Sequence, residues 1–127
     1  MNAINIKPFE ILNRWQQHLN EGNLSGVLKL YDISSVLIPT FSSEIFTDHE
    51  HIKEYFVKVI EVQKGKVEFQ TNSFSEQQIG ENMFLLSGKY FFHLMRKEKI
   101  PARFSFLVNH LSKNPIMHHH SSRFINN

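Results

Sequence analysis

Apolar residues recur at helical steps along the first half of the chain. Phe9, Leu12, Trp15 and Leu19 are spaced by three and four residues, the stripe that one face of a helix buries, and predict an amphipathic helix over residues 8–21. Pro8 suits the first turn, where a missing N–H costs nothing, and Gly22 followed by Asn23 is a stop, because glycine enters the left-handed conformation freely. A second, short helix carries Leu24, Val27, Leu28 and Tyr31 on one side and ends near Asp32. Val36, Leu37 and Ile38 form a brief strand that Pro39 terminates. After a loop over residues 40–46, Thr47, Asp48, His49 and Glu50 read as a capping box with the threonine as the cap. Behind it Ile52, Tyr55, Phe56, Val59 and Ile60 make a third helical stripe.

Beyond Lys64, Gly65 and Lys66 the period changes to alternation and stays so. Val67, Phe69 and Thr71 alternate with Glu68, Gln70 and Asn72, and residues 83–95 form a long apolar run with Gly88 as a bulge or bend. Pro101 opens a strand with Ala102, Phe104, Phe106 and Val108 on one face and Arg103, Ser105, Leu107 and Asn109 on the other. Residues 116–124 are the last strand. Helices first and consecutive strands later give an α+β class with a mainly antiparallel sheet, since short connections leave no room for parallel crossovers.

Composition narrows the function more than the fold. The 127 residues are 41% hydrophobic with twelve phenylalanines, enough to bury an aromatic core in one domain spanning residues 1–127. A formal charge of +2, with the basic residues scattered, excludes a nucleic-acid-binding stripe. The absence of cysteine excludes thiol catalysis and thiolate zinc sites. The N-terminal residues lack the basic flank and apolar run of a signal peptide, and no apolar stretch is long enough to span a membrane, so a soluble, cytoplasmic protein without membrane partners is expected. No cofactor motif is present.

Three C-terminal motifs carry a resemblance. Gly88-Lys89-Tyr90-Phe91-Phe92, Pro101-Ala102-Arg103-Phe104-Ser105-Phe106 and His119-His120-Ser121-Ser122 follow in order. They resemble the G-x-Y-x-F, ARFTF and HHSS signatures of the SnoaL-like, nuclear-transport-factor-2-like superfamily, in the group close to the calcium/calmodulin-dependent protein kinase II association domain. The likeness covers roughly residues 14–124. It implies a cystatin-like cone in which N-terminal helices pack on a curved sheet around a pocket, and usually a homodimer formed through the sheet. It implies no single activity, because relatives include isomerases, cyclases, dehydratases, hub domains and many proteins of unassigned function. One departure is the turn before the last strand: the group has glycine-x-tryptophan where this chain has Ser112, Lys113 and Asn114, then Pro115. The depth of the pocket depends on how that turn closes.

Arg103 stands among apolar neighbours on a strand, where a guanidinium needs a carboxylate or other oxygen partner. In hub-domain relatives an arginine at the matching position lines a cavity that takes small anions, which makes Arg103 a pocket cation for a carboxylate-bearing ligand; the competing reading is a salt bridge to an acid such as Glu54, or an exposed face. His118 and His120 share a face of their strand and are expected beside it as ligand-binding residues, with Ser122 able to position a substrate. Imidazole also ligates metals, but only two of the three consecutive histidines can face one site, and His93 or His110 would have to complete it, so no metal is expected. A serine–histidine nucleophile fails because neighbouring strand residues point apart. Tyr55, Tyr90 and Trp15 are expected in the pocket wall, each of them equally at home as a core residue, as is Tyr31. The acids expected near the rim, Asp32, Glu44, Asp48 and Glu54, match no catalytic motif. The expected function is therefore small-molecule binding by a homodimeric domain, the alternatives being an acid/base isomerase, dehydratase or cyclase, or an assembly module.

Overall fold

The computed structural model describes residues 6–124. Helix α1 spans Pro8–Asn20, with Pro8 in its first turn and Gly22, at φ +74°, just beyond its end. Leu12, Trp15 and Leu19 of its stripe are buried together with Ile11, while Phe9 is half-buried. Asn23 caps α2 (Leu24–Lys29), its side-chain oxygen accepting from the Gly26 amide at 2.9 Å. This helix stops short of the expected Asp32, and Tyr31 instead begins strand β1 (Tyr31–Ile38). The Ile116 amide donates to the Leu30 carbonyl at 2.8 Å, which draws the chain into the sheet one turn earlier than the apolar spacing suggests.

The cap of α3 (His49–Phe56) is Asp48, whose carboxylate accepts from the His51 amide at 2.9 Å, and not Thr47. An ionised carboxylate is the better acceptor at a helix N-terminus. The helix widens into a π-helical turn, Val57–Val62, whose closing bonds run from Gln63 to Lys58 and from Gly65 to Val59. Ile52, Tyr55, Phe56, Val59 and Ile60 all face the core, as the stripe predicts.

The sheet follows as β2 (Lys66–Gln78), β3 (Met83–His93), β4 (Ile100–Asn109) and β5 (Ile116–Arg123), in spatial order β1-β5-β4-β3-β2. The last four strands are antiparallel, whereas β1 runs parallel to β5. The short-connection rule applies only to successive strands, and these two are the first and the last. The irregularity expected at Gly88 sits on its neighbour: β2 carries extra residues between Gln70 and Ser75, while β3 stays in register with β4. Gly88 faces that bulge, and a Cβ there would lie 2.9 Å from both Phe104 and Phe74. The turn that replaces glycine-x-tryptophan is closed by Asn114, which donates to the Lys29 carbonyl at 2.6 Å, and β5 begins only after Pro115.

The sheet is curved and unclosed, with the helices on one face. Ala102, Phe104, Phe106 and Val108 point into the core with Phe69, Tyr90 and Phe92, against Trp15 and the α3 stripe. Among the described residues no helix is long and apolar enough to cross a membrane.

Candidate functional site

A bulge in β5 decides which histidine enters the core. Ile116 faces inward and is fully buried, so strict alternation would turn His118 and His120 in after it. The register instead steps from Val108↔Ile116 to Leu107↔His118, placing two residues of β5 against one of β4. The extra residue flips the remainder of the strand. His119 and Ser121 are consequently buried, at 2% and 4% exposure, while His118 and His120 lie on the outer face.

His119 sits at the centre of a polar chain within the aromatic core. Its ring stacks on Phe106 at 3.7 Å between centroids. Its Nδ1 meets the Tyr31 hydroxyl at 2.8 Å, and its Nε2 meets the Tyr90 hydroxyl at 3.0 Å. Trp15 Nε1 donates to Tyr31 at 3.1 Å, Tyr90 donates to Ser121 Oγ at 2.6 Å, and Ser121 in turn meets Thr40 Oγ1. Burial holds the His119 pKa well below the ordinary imidazole value and pushes both tyrosines up, so every member of the chain is neutral. A polar chain of this kind is tolerated in a core because each group finds a partner.

Trp15, Thr40, Tyr90, His119 and Ser121, with Leu37, Tyr55, Phe56 and Val59, line an inner hollow that keeps only about 10 Å³ of free space, no more than one water needs. Tyr55 and Val59 form its partition from a larger cleft of about 510 Å³. Phe41, Phe46 and Leu94 give that cleft apolar walls, and Glu44, Glu54, His51, Lys58 and Lys97 surround it. His51 pairs with Asp48 at 2.7 Å, which raises the imidazole pKa, while the His51 amide and then this pairing lower that of the carboxylate. Burial pushes the Tyr55 hydroxyl up.

The six residues expected together in one pocket are divided between the two faces of the sheet. Trp15, Tyr55 and Tyr90 line the inner hollow. Arg103 does not project into it: Arg103 alternates with Ala102 and Phe104, which the helices cover, so its guanidinium is exposed on the outer face. There it shares an open trough of about 390 Å³ with Lys89, His120 and Ser122. His118 is on the same outer face, in register with Leu107 and Val36. Glu54 is on the cleft side and forms no pair with Arg103. Asp32 folds onto the Ser34 amide and hydroxyl and lies outside the cleft. His110 binds the Ile6 carbonyl at 3.1 Å beyond the end of β4, and among the described residues no three ligating side chains meet.

Alternation carried forward from Ile116 conceals the roles of His119 and Ser121. The HHSS motif marks the right segment, but only the bulge assigns its faces. Thr40 gave no signal, because its partner Ser121 is 81 residues away.

The profile of the calcium/calmodulin-dependent protein kinase II association domain matches residues 7–124. A search of curated protein sequences finds no match. Among solved structures, a Xanthomonas campestris protein provisionally named as such an association domain superposes with a TM-score of 0.79 at 27% identity, covering 92% of this chain and 85% of that one. A Shewanella oneidensis NTF2-like protein of unknown function gives a TM-score of 0.71 at 16% identity, over 89% of this chain and 93% of that one. A Novosphingobium aromaticivorans protein provisionally named a scytalone dehydratase gives 0.76 at 7% identity, over 91% and 80%, and like the preceding structure shows the fold alone. With its profile match running through all three helices and all five strands, and a fold shared with a nuclear-transport-factor-2-like protein, the chain belongs to the calcium/calmodulin-dependent protein kinase II association-domain family.

Proposed function

We propose that this chain is a small-molecule-binding domain whose ligand lies in the cleft between Phe41, Tyr55 and Leu94, with an apolar body and one polar end directed toward the inner hollow. The observation that carries this reading is the position of the Tyr31–His119–Tyr90–Ser121–Thr40 chain, which abuts an aromatic-walled cleft across a partition of only two side chains, Tyr55 and Val59. A core serves packing equally well with leucine and phenylalanine, whereas a buried polar chain beside a cavity is the arrangement that orients a ligand. A carboxylate-bearing ligand held by Arg103 does not suit this cleft, since that side chain lies across the sheet. Lys58 and Lys97 are the cations an anionic group would meet at the cleft instead.

An acid/base enzyme needs a carboxylate or free imidazole within reach of the ligand. The hollow has no carboxylate in its lining and both nitrogens of His119 are engaged, but Glu44, Glu54 and the Asp48-paired His51 line the cleft itself, so acid/base catalysis there is the second reading. We further propose that two copies pair through the outer face, where Leu85, Leu107 and Val36 lie in one cross-strand row.

The test is a fragment screen by two-dimensional NMR on the full chain. Small aromatic ketones, acids and hydrocarbons are expected to shift the amides of Phe41, Tyr55, Val59 and Leu94, and Tyr55→Trp, which fills the partition, is expected to abolish those shifts. A screen in which nothing moves these amides at millimolar concentration rejects the reading.

A further inference from the structure

The outer face of the sheet carries two cations that strand pairing sets side by side. Lys89 on β3 is directly opposite Arg103 on β4, and Arg103 is in turn opposite Ser122 on β5. Residues paired in this way share a face with their Cβ atoms about 5 Å apart, so like charges there repel. The next row on the same face is Ser87, Ser105 and His120. All six side chains line one open trough of about 390 Å³.

No acid of the surrounding rows compensates the pair. Beside these rows β2 contributes Gln70, opposite Lys89, and Ser75, opposite Ser87. Glu68, further along β2, is engaged by Lys99 at 3.5 Å. Among the described residues the ion pairs are that one and His51 with Asp48, which leaves Lys89 and Arg103 without a carboxylate. The Phe124 ring lies near both cations, but a ring quadrupole attracts a cation without cancelling its charge. Neutral donors stand with them. Ser87 and Ser105 Oγ are 3.2 Å apart, so one of their two protons is used between them and the other is left over. Ser122 adds a hydroxyl, and the His120 ring carries at least one N–H in either protonation state. The three serines are half-buried, whereas Lys89, Arg103 and His120 are exposed, so charge stands over a floor of hydroxyls.

We infer that this trough is a second binding site, for a tetrahedral phosphoryl dianion, either free phosphate or the head of a small phosphate monoester. A phosphoryl group of this kind carries about −1.5 to −2 charge at pH 7 with three strong acceptor oxygens. That matches two adjacent cations and several neutral donors, where a carboxylate brings one charge and two oxygens. The planar fork of arginine takes two phosphate oxygens at once while lysine acts as a point charge, and the anion turns a repulsive pair into an attractive set. The site is independent of the cleft, which lies across the sheet, and one chain supplies all of it. It also stands apart from the apolar row, since Arg103 is four residues from Leu107 along β4, about 13 Å at the usual strand rise.

The experiment is a two-dimensional NMR titration of the full chain at constant ionic strength with inorganic phosphate, phenyl phosphate, benzoate and chloride. Both phosphates are expected to shift the amides of Lys89, Arg103, Ser105 and Ser122 saturably, benzoate more weakly and chloride not at all. The tighter of the two phosphates identifies the source, an ester or the free ion. Arg103→Gln and Lys89→Gln change exposed side chains only, and each is expected to weaken phosphate binding about tenfold, the worth of one hydrogen bond to a charged group. Thermal melts add a second readout: Lys89→Gln relieves the repulsion and is expected to raise the midpoint in chloride buffer, while phosphate raises the midpoint of the unaltered chain more than that of the variant. Equal shifts from chloride, or phosphate affinity unchanged in both variants, would reduce the effect to screening of surface charge and overturn the site. Benzoate binding as tightly as phenyl phosphate overturns the phosphoryl class.

Discussion

His119 joins two tyrosine hydroxyls from a position that is almost wholly buried, so its loss leaves the Tyr31 proton without its acceptor, while Trp15 still donates to Tyr31 and Tyr90 still donates to Ser121. His119→Leu conserves apolar volume, yet is expected to destabilise the fold by roughly 1–3 kcal/mol, the cost of one buried polar group left unsatisfied. Urea denaturation at pH 7.5 measures it, and a loss below 1 kcal/mol would show that the chain is not what it is taken to be. The same residue sets an acid limit. Its folded pKa is depressed well below 6.5 by burial, so below the ordinary value the unfolded chain binds a proton that the native state refuses. Its contribution is therefore complete above about pH 6.5 and declines as pH falls toward the folded pKa, with a slope of up to about 1.4 kcal/mol per pH unit. His118 is depressed in the same direction, by partial burial and then by His120. His51 is raised by Asp48 and has the opposite sign, contributing below its ordinary value and losing that as pH rises, but it is exposed and screened. Denaturation series at pH 5, 6, 7 and 8 are expected to show the decline in the unaltered chain and a flatter profile in His119→Leu. At this scale the sequence was legible where alternation is unbroken. Phe104 inward obliges Arg103 outward, and that inference was available from spacing alone. The faces of His118, His119 and His120 were not, because a bulge is a property of the pairing between two strands and leaves no mark on either one.

Elements report the same division between local and long-range causes. The α1 stripe, its Pro8 start and its Gly22 stop are local, and they stand as the spacing predicts. Tyr31 satisfies a helical stripe and a strand start equally, and the choice is made by Ile116, which is far away in the chain. Two substitutions test the elements. Asp48→Ala is expected to lower the thermal midpoint, because it removes the acceptor of the His51 amide, while Thr47→Ala is expected to leave it unchanged. Equal effects would return the cap to the threonine. Gly88→Val is expected to destabilise by about 1–3 kcal/mol, the usual cost of forcing extra carbon into a packed core, since even its first added atom lies 2.9 Å from Phe104 and Phe74. If Gly88→Val melts like the unaltered chain, the β2 bulge yields where close packing says it cannot.

At the scale of the whole molecule the sheet separates two surfaces that the sequence alone had merged. One is sealed by helices and holds the cleft. The other is bare, with Leu85, Leu107, His118 and Val36 in register across four strands, and Lys89 directly opposite Arg103 beyond the intervening Ser87–Ser105 row. Like charges in register repel, and among the described residues neither cation has a carboxylate partner; the Phe124 ring lies near both, 5.4 Å from Lys89 Nζ and 5.8 Å from Arg103 Cζ. Two copies related by a twofold axis would bury the apolar row against itself, since such an interface uses the same patch on both sides, and a standard one needs about 800 Å² from each partner. Light scattering of the full chain is expected to give twice the chain mass, and Leu107→Glu, which sets a carboxylate in that row on each copy, is expected to give single chains with an unchanged far-ultraviolet spectrum. Because the cleft lies across the sheet from Leu107, the separated chains should still show the fragment-induced shifts of Tyr55 and Leu94. Retained binding in single chains makes the cleft self-sufficient and assigns the outer face to assembly. Lost binding with an intact spectrum would instead mean that pairing shapes the cleft, and a single-chain mass for the unaltered protein would remove the assembly proposal while leaving the cleft untouched.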